Sequence, residues 1–100
     1  MSLRKQQSAF VVMVGRLINF ATNQGYELTF GDAYASSGHK KDSFHYRRLA
    51  IDLNLFKDGV FLTKTEDHKV LGEYWKSIGG SWGGDFSSVK DGNHYSLGEQ

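Results

Sequence analysis

Apolar residues recur every three or four positions near the start of the chain. The series comprises Phe10, Met13, Val14, Leu17, Ile18 and Ala21. This spacing places them along one face of an α-helix, which can then pack against a core. Gly25 follows the polar run 22–24 and is a suitable stop, because glycine adopts the left-handed conformation at little cost. The pattern predicts a helix over residues 3–23.

Two further segments show the alternation of a β-strand. Residues 26–30 alternate polar and apolar side chains and predict a strand that continues to about Tyr34. Residues 49–56 alternate most strongly, which places two sets of side chains on opposite faces. One face carries Leu49, Ile51, Leu53 and Leu55, and the other carries Ala50, Asp52 and Asn54. The first face is therefore predicted to cover a core, and the second to present Asp52 away from it.

The remaining elements are marked mainly by glycine. Asp58-Gly59 is typical of a hairpin tip, with a return strand at residues 60–62. A second helix is predicted over residues 65–78 and ends at Gly79-Gly80. Asp91-Gly92 predicts a turn before a last strand at 94–97, and the polar run 35–42 predicts a loop. This order of elements favours a single α+β domain over residues 1–100, with a small antiparallel sheet flanked by two helices.

Composition narrows the possible classes of protein. With 39% hydrophobic and 14% aromatic residues, the 100-residue chain can build a core. A net charge of +1 argues against nucleic-acid binding through Lys40, Lys41, Arg47 and Arg48. The apolar run at residues 9–14 is too short for a signal peptide or a membrane span, so synthesis in the cytoplasm and no stable membrane insertion are expected.

Three residues form a candidate metal site. The chain has no cysteine, so any metal must be held by His, Asp or Glu. His45, Asp52 and His94 offer two imidazoles and one carboxylate, a set that suits zinc and leaves a fourth tetrahedral position open. His45 precedes Asp52 by an odd number of residues, so residues 46–48 must bend or bulge to bring both side chains to one face. The ligands converge if the His94 strand pairs beside the Asp52 strand.

Asp91 adds a second carboxylate near the predicted metal. It lies three residues before His94, across the Asp91-Gly92 turn. A carboxylate beside a zinc site can accept the proton of water that attacks a carbonyl carbon. By default an Asp before a Gly is a turn residue. The combination with the three ligands is what indicates metal-assisted hydrolysis.

These patterns resemble the zinc D-alanyl-D-alanine carboxypeptidases and L-alanyl-D-glutamate endopeptidases of bacteria and their phages. The matching motifs are Ser43-x-His45, Ala50-x-Asp52-Leu53 and Asp91-x-x-His94. The stretches 48–56 and 81–86 also resemble the compact phage endolysin-like branch, and the resemblance covers roughly residues 10–97. It implies a hedgehog/DD-peptidase-like fold, Zn²⁺ on His45, Asp52 and His94, and Asp91 as catalytic base.

Two positions depart from the family pattern. The family commonly has glycine three residues after the first histidine, where this chain has Arg48. Larger relatives carry an oxyanion-stabilising arginine after the strand-end tyrosine, where this chain reads Tyr34-Ala35. Arg48 is the candidate to take over that catalytic role, with Arg47 and His39 as alternatives; for Arg48 a solvated charge or an ion pair is the other interpretation. If none of these residues takes over, the chain is expected to be a weaker catalyst, because such a donor is typically worth about 3–4 kcal/mol.

Two functions remain open from the sequence. The first is a monomeric zinc peptidase that cleaves the stem peptide of peptidoglycan in phage or prophage lysis, reaching the wall after release through a permeabilised membrane. The second is a metal-stabilised module that binds the wall without cutting it, which the missing arginine after Tyr34 favours. Trp82, among glycines, is predicted to line the cleft or to cap the core. Tyr74 and Trp75 are predicted to pack the second helix.

Overall fold

The computed structural model describes residues 2–39, 43–87 and 89–98. Two α-helices, α1 (Leu3–Asn23) and α2 (Lys69–Ser77), accompany five strands. The strands are β1 (Glu27–Phe30), β2 (Ala50–Lys57), β3 (Val60–Leu62), β4 (Ser81–Trp82) and β5 (His94–Ser96). Short 3₁₀ helices lie at Phe44–Arg47, Thr65–His68 and Gly83–Asp85. The α+β prediction and the bounds of the first helix are confirmed.

Strand β2 is the centre of the antiparallel sheet. The strand order is β1-β2-β5-β4, and β3 also pairs with β2. Strand β1 pairs with the second half of β2, opposite residues 53–56. The other edge of β2 is shared, because β5 pairs with residues 50–52 and β3 pairs with residues 55–57. Between the two partners lies Asn54.

The hairpin between β2 and β3 has the predicted Asp58-Gly59 tip. Both residues have positive φ angles, 52° for Asp58 and 77° for Gly59. Two consecutive positive φ angles are characteristic of the type I′ turn, whose twist matches that of the flanking strands. The turn therefore fixes the register of β2 against β3.

The core lies between one face of the sheet and the two helices. Its fully or nearly fully buried side chains come from α1, β2, α2, β4 and β5, and they are Phe10, Val14, Leu17, Ala21, Leu49, Ile51, Leu53, Leu55, Leu71, Trp75, Trp82 and Tyr95. The predicted alternation is confirmed over residues 51–55, since Ile51, Leu53 and Leu55 are buried while Asp52 and Asn54 are less so; Ala50 is buried as well. Asp52 is thereby presented on the face away from the core.

Some predicted bounds are corrected. Strand β1 ends at Phe30 rather than near Tyr34; Gly31 and Asp32 still exchange backbone hydrogen bonds with Asp52, at 2.8 Å each, but the regular ladder stops there. The segment at 65–78 begins as a 3₁₀ helix and becomes α-helical at Lys69. Strand β4 was not predicted, because two residues carry no periodicity.

The predicted loop 35–42 has no helix or strand in its described part, residues 35–39. Residues 40–42, including the lysines considered for nucleic-acid binding, lie outside the described residues. Within the described ranges, no helix combines the length and apolar character needed to cross a membrane.

Candidate metal centre

Two of the predicted metal ligands are placed by the sheet. Asp52 of β2 and His94 of β5 are directly opposite each other in the antiparallel register. Directly opposed residues point to the same face, so both side chains lie on the side away from the core. The His94 side chain is buried, and that of Asp52 is 18% exposed. The conditional prediction that these strands pair is confirmed.

His45 is placed by a tight turn before β2. It lies in the 3₁₀ helix Phe44–Arg47, whose cap is the Ser43 hydroxyl, which accepts a hydrogen bond from the His45 backbone N–H at 3.2 Å. Arg48 ends the turn with φ 57° and ψ 37°, in the left-handed region. This reversal provides the bend that the odd spacing between His45 and Asp52 requires. The family's preference for glycine at this position has the same physical reason.

The three side chains converge at distances that suit a metal. His45 Nε2 lies 3.2 Å from Asp52 Oδ1, and His94 Nδ1 lies 3.3 Å from the same oxygen. One ligand atom from each residue lies within 4.8 Å of the other two. Donors about 2.0–2.1 Å from a tetrahedral zinc are themselves about 3.3 Å apart. The two nitrogen-to-oxygen distances, 3.2 and 3.3 Å, fit that geometry.

Unsatisfied polar atoms also point to a cation at this site. The His45 ring nitrogens, Asp52 Oδ1 and His94 Nε2 are buried without a hydrogen-bond partner. Leaving such groups unpaired is costly in a folded protein, and a cation would account for His45 Nε2 and Asp52 Oδ1, which are two of the proposed ligand atoms. His45 Nδ1 and His94 Nε2 are not among those atoms. Burial lowers the pKa of His45, with the charge of Asp52 opposing that shift. The neutral imidazole that burial favours is the form that binds a metal.

A second group of contacts supports His45 from the loop that precedes it. The His39 ring stacks on the His45 ring with centroids 4.2 Å apart, and His39 Nε2 lies 3.2 Å from Asp32 Oδ2. The Tyr46 hydroxyl accepts a hydrogen bond from the His39 backbone N–H at 2.9 Å and donates one to the His39 carbonyl at 2.8 Å. His39 is thus held by both its backbone and its side chain, against a metal ligand.

Asp91 lies in the turn before His94. Its backbone N–H donates to the Gly83 carbonyl at 2.9 Å, and its carbonyl accepts from His94 N–H at 3.1 Å. The residue is exposed, yet the surrounding protein partly desolvates the carboxyl group and raises its pKa. The negative charge of Asp52 raises that pKa further, while the charges of His94, His45 and His39 oppose the shift. The Asp91 carboxyl group therefore interacts electrostatically with all three ligands and is not one of the converging set.

The turn that contains Asp91 is supported by a hydrogen bond from Trp82. The indole Nε1 donates to the Gly92 carbonyl at 2.7 Å, and Trp82 is 5% exposed. A Cβ at Gly83 would lie 2.0 Å from the Asp91 carbonyl oxygen, so only glycine allows this approach. Of the two interpretations given for Trp82, the structure supports the core position. Trp75 is buried and Tyr74 stacks on Phe20, as predicted for helix packing.

Arg48 has its described contact outside this group. Its guanidinium lies over the Tyr34 ring, 4.2 Å from the centroid. Both residues line a cavity together with Phe10, Val14 and Ile51, which belong to the core side of the sheet. Arg47 lies over the Phe44 ring at 4.1 Å. The oxyanion role of Arg48 therefore stays a prediction, and His39 is the alternative that contacts a ligand.

Several contacts around the site were not predicted from any sequence pattern. Asp32, Tyr46 and Phe86 were not predicted as site residues, although the Phe86 ring centroid lies 5.3 Å from that of His94. His39 was named only as an alternative. These side chains come from loops or from a single 3₁₀ turn, which are too short for periodicity to indicate direction.

Comparison with known proteins finds a family model and similar solved structures. The model of a protein family described as D-alanyl-D-alanine carboxypeptidase matches residues 37–97, which is more than half of the chain and contains all five predicted site residues. Comparison with curated protein sequences finds no match. Among solved structures, the chain is similar to the L-Ala D-Glu endopeptidase ChiX of Serratia marcescens, with a TM-score of 0.66 and 19% identity over 86% of this chain and 77% of that one. At this identity, the likeness establishes the fold.

Proposed function

The chain belongs to the D-alanyl-D-alanine carboxypeptidase family, and from that premise we propose that it is a zinc-dependent peptidase that hydrolyses an amide bond in the stem peptide of peptidoglycan. The observation that carries the proposal is the convergence of His45, Asp52 and His94, together with the carboxyl group of Asp91, which lies outside that set and interacts electrostatically with all three. A site that only stabilises the fold has no use for a second, uncoordinated carboxylate.

His45 Nε2, Asp52 Oδ1 and His94 Nδ1 are the atoms whose spacing fits zinc. When bound, zinc would supply a Lewis acid for the amide carbonyl and would lower the pKa of water to about 7. Three protein ligands leave one tetrahedral position for this chemistry, as in catalytic rather than structural zinc sites. The burial of the two histidines excludes bulk water from the ligand atoms.

Asp91 is the proposed general base. Its carboxylate takes a proton from the attacking water and passes that proton to the nitrogen of the leaving amine. Partial desolvation and the nearby Asp52 raise its pKa, which makes the carboxylate a better proton acceptor than a solvated aspartate. His39 and Arg48 are the candidates for stabilising the developing negative charge on the carbonyl oxygen, and the stack of His39 on His45 favours His39.

Two bonds of the stem peptide are compatible with this proposal. The family description names a D-alanyl-D-alanine carboxypeptidase, whereas ChiX is an L-Ala D-Glu endopeptidase. A monomer that is made in the cytoplasm and reaches the wall during phage or prophage lysis would suit either bond. We propose this setting from the resemblance in the sequence.

The test is release of peptide from purified peptidoglycan by the zinc-loaded protein, with mass spectrometry of the fragments to identify the bond. We expect release by the parent and a loss of about 10²–10⁴-fold in rate for Asp91→Asn, since this is the usual contribution of a general base. Zinc content should remain one per chain in both proteins. Asp85→Asn is the matched control, because Asp85 pairs with Lys76 at 2.9 Å on the surface.

Equal rates for the parent and Asp91→Asn would contradict the proposed mechanism. Binding to the wall without any release would instead support the metal-stabilised binding module. An Asp85→Asn variant as slow as Asp91→Asn would show that loss of surface charge, rather than loss of the base, slows the reaction.

A further inference from the structure

A polar cavity that Asp91 helps to line lies at the edge of β2 where its partner strand changes. Leu53 N–H donates to the Asn93 carbonyl at 2.9 Å on the β5 side, while Leu55 pairs with Leu62 of β3. Between these pairings the edge opens at Asn54. The cavity has a volume of about 230 Å³. Sites for whole small molecules typically measure about 300–1,000 Å³, so this one suits a single residue of a larger substrate.

The lining of this cavity combines neutral hydrogen-bonding groups with two opposite charges. The neutral groups are Asn54, Thr63, Thr65 and Asn93, and the charged ones are Lys90 and Asp91. His68 also contributes, but it is buried and its Nδ1 lies 2.8 Å from the Tyr95 hydroxyl oxygen. Asp91, the proposed general base, lines this cavity and accepts a hydrogen bond from the His94 backbone N–H, so the cavity adjoins the turn that leads to a proposed metal ligand.

The walls are fixed by backbone contacts. A Cβ at Gly92 would lie 2.6 Å from Thr65 Cα, so the 90–93 segment packs directly on the residue that begins the second 3₁₀ helix. The Gly92 carbonyl accepts from Trp82, and Asp91 N–H donates to Gly83. The Lys90 ammonium donates to the Gly84 carbonyl at 3.2 Å, which uses one of its three N–H donors. The cavity is therefore formed before substrate binds.

We propose that this cavity is the subsite for the substrate residue on the leaving side of the scissile amide, and that Lys90 pairs with the carboxylate of that residue. The inference rests on the proposed function. Asp91 delivers a proton to the leaving amine, so the residue that carries this amine must lie against Asp91. A carboxylate on the same residue is repelled by Asp91 and attracted by its sequence neighbour Lys90. The adjacent anion and cation thus match the two ends of an amino acid.

Both candidate bonds have a leaving residue of this kind. Cleavage between two D-alanines releases a residue with a C-terminal carboxylate. Cleavage before D-glutamate releases a residue whose α-carboxylate is free, because the chain continues through its γ-carboxyl group. The subsite is therefore a recognition element for either bond, and amidation of that carboxylate should weaken binding.

The experiment measures binding rather than turnover, so that it does not depend on cleavage. The probes are γ-D-glutamyl-L-lysine and its α-amide, with D-alanine and D-alaninamide as a second pair. Each is titrated into zinc-loaded, ¹⁵N-labelled protein, and dissociation constants are taken from amide shifts. For at least one pair we expect the acid to bind about tenfold more tightly than the amide, as is typical of a charge-assisted hydrogen bond, with shifts centred on residues 54 and 90–93.

Three variants assign the effect. Lys90→Met should remove the preference for the acid, Lys90→Arg should restore it, and Lys5→Met, the same charge change on α1, should leave it intact. Equal binding of acid and amide by the parent would overturn the subsite, as would an equal loss for both forms in Lys90→Met, which would mean that Lys90 only supports the loop through Gly84. A protein that shows the preference but releases nothing from the wall would retain the subsite and lose the proposed peptidase activity.

Discussion

The two sides of the metal centre are built in different ways. On the sheet side, Asp52 and His94 face each other across a regular antiparallel register, and their backbones belong to the strands that cover the core. On the loop side, His45 lies in a single 3₁₀ turn whose exit residue, Arg48, is in the left-handed region. Its ring is supported by the stack with His39, which Asp32 and Tyr46 hold in place.

Because of this difference, we expect the two sides to contribute differently to the stability of the fold and to the retention of the metal. The sheet side is fixed by the same burial that folds the domain, so its geometry survives unless the fold is lost. The loop side depends on a few hydrogen bonds and ring contacts near the surface, where local opening costs little free energy. Changes on the sheet side should therefore reduce stability first, and changes on the loop side should reduce metal retention first.

The largest expected effect is common to both sides. Asp52→Ala and His45→Ala should each lower zinc affinity by more than about 100-fold, because even partners behind the ligands are typically worth about 10–100-fold. Zinc at 100 times its dissociation constant should stabilise the parent by about 2.7 kcal/mol and should not raise the melting temperature of either variant. Competition with a chromogenic chelator and thermal melts measure both. Zinc binding that persists in either variant would mean that a different ligand set holds the metal.

Replacing one tyrosine on each side of the metal centre by phenylalanine tests this division with the same chemical change. Tyr95→Phe removes the hydroxyl beside buried His68 and should cost about 1–3 kcal/mol of unfolding free energy, with zinc release unchanged. Tyr46→Phe removes both hydrogen bonds to the His39 backbone and should speed zinc release by up to about tenfold, with a smaller loss of stability. Denaturant melts and stopped-flow chelation give the two readouts. The reverse pattern would refute the division into a stability side and a retention side.

Arg48 allows a smaller test of the loop side. Its left-handed backbone is unfavourable for any residue with a Cβ, while its guanidinium gains contact with Tyr34. Arg48→Ala loses the contact with Tyr34 and keeps the backbone cost, whereas Arg48→Gly loses both. The glycine variant should therefore be more stable than the alanine variant by about 1 kcal/mol. Equal stability would indicate that the turn relaxes in the alanine variant. Their peptide-release rates would also show whether the guanidinium acts in catalysis.

The smallest effect concerns acid stability. Burial lowers the pKa of His68 below 6.5, so below pH 6.5 the unfolded chain takes up a proton more readily than the folded one. The stability that the neutral form of His68 contributes is fully present above pH 6.5. It is lost as the pH falls toward the lower pKa of the folded state. Thermal melts at pH 5.0–7.5, with a chelator present to remove metal, should therefore show that the parent loses stability more steeply with falling pH than His68→Gln does. His45 shifts in the same direction and acts equally in both proteins.

The sheet side could be predicted from the sequence and the loop side only in part. Strand parity indicated that Asp52 faces away from the core, and the odd spacing to His45 required the bend that Arg48 supplies. The stack of His39 on His45 could not be predicted, because it joins a loop residue to a residue of a single 3₁₀ turn. The same holds for the cavity at Asn54, which arises where two short strands share one edge of β2. Periodicity within one segment carries no information about contacts between side chains of different segments.

The hairpin tip has a practical consequence. Asp58-Gly59 extends the far end of β2, about 20 Å along the strand from Asp52, and its type I′ geometry comes from two residues rather than from contacts with the rest of the domain. Exposed loop tips of this kind are preferred sites for tolerated insertions. A fluorophore, an affinity tag or a targeting module attached there would leave the metal ligands and their supporting contacts undisturbed. This turn is therefore a suitable attachment site for engineering the protein.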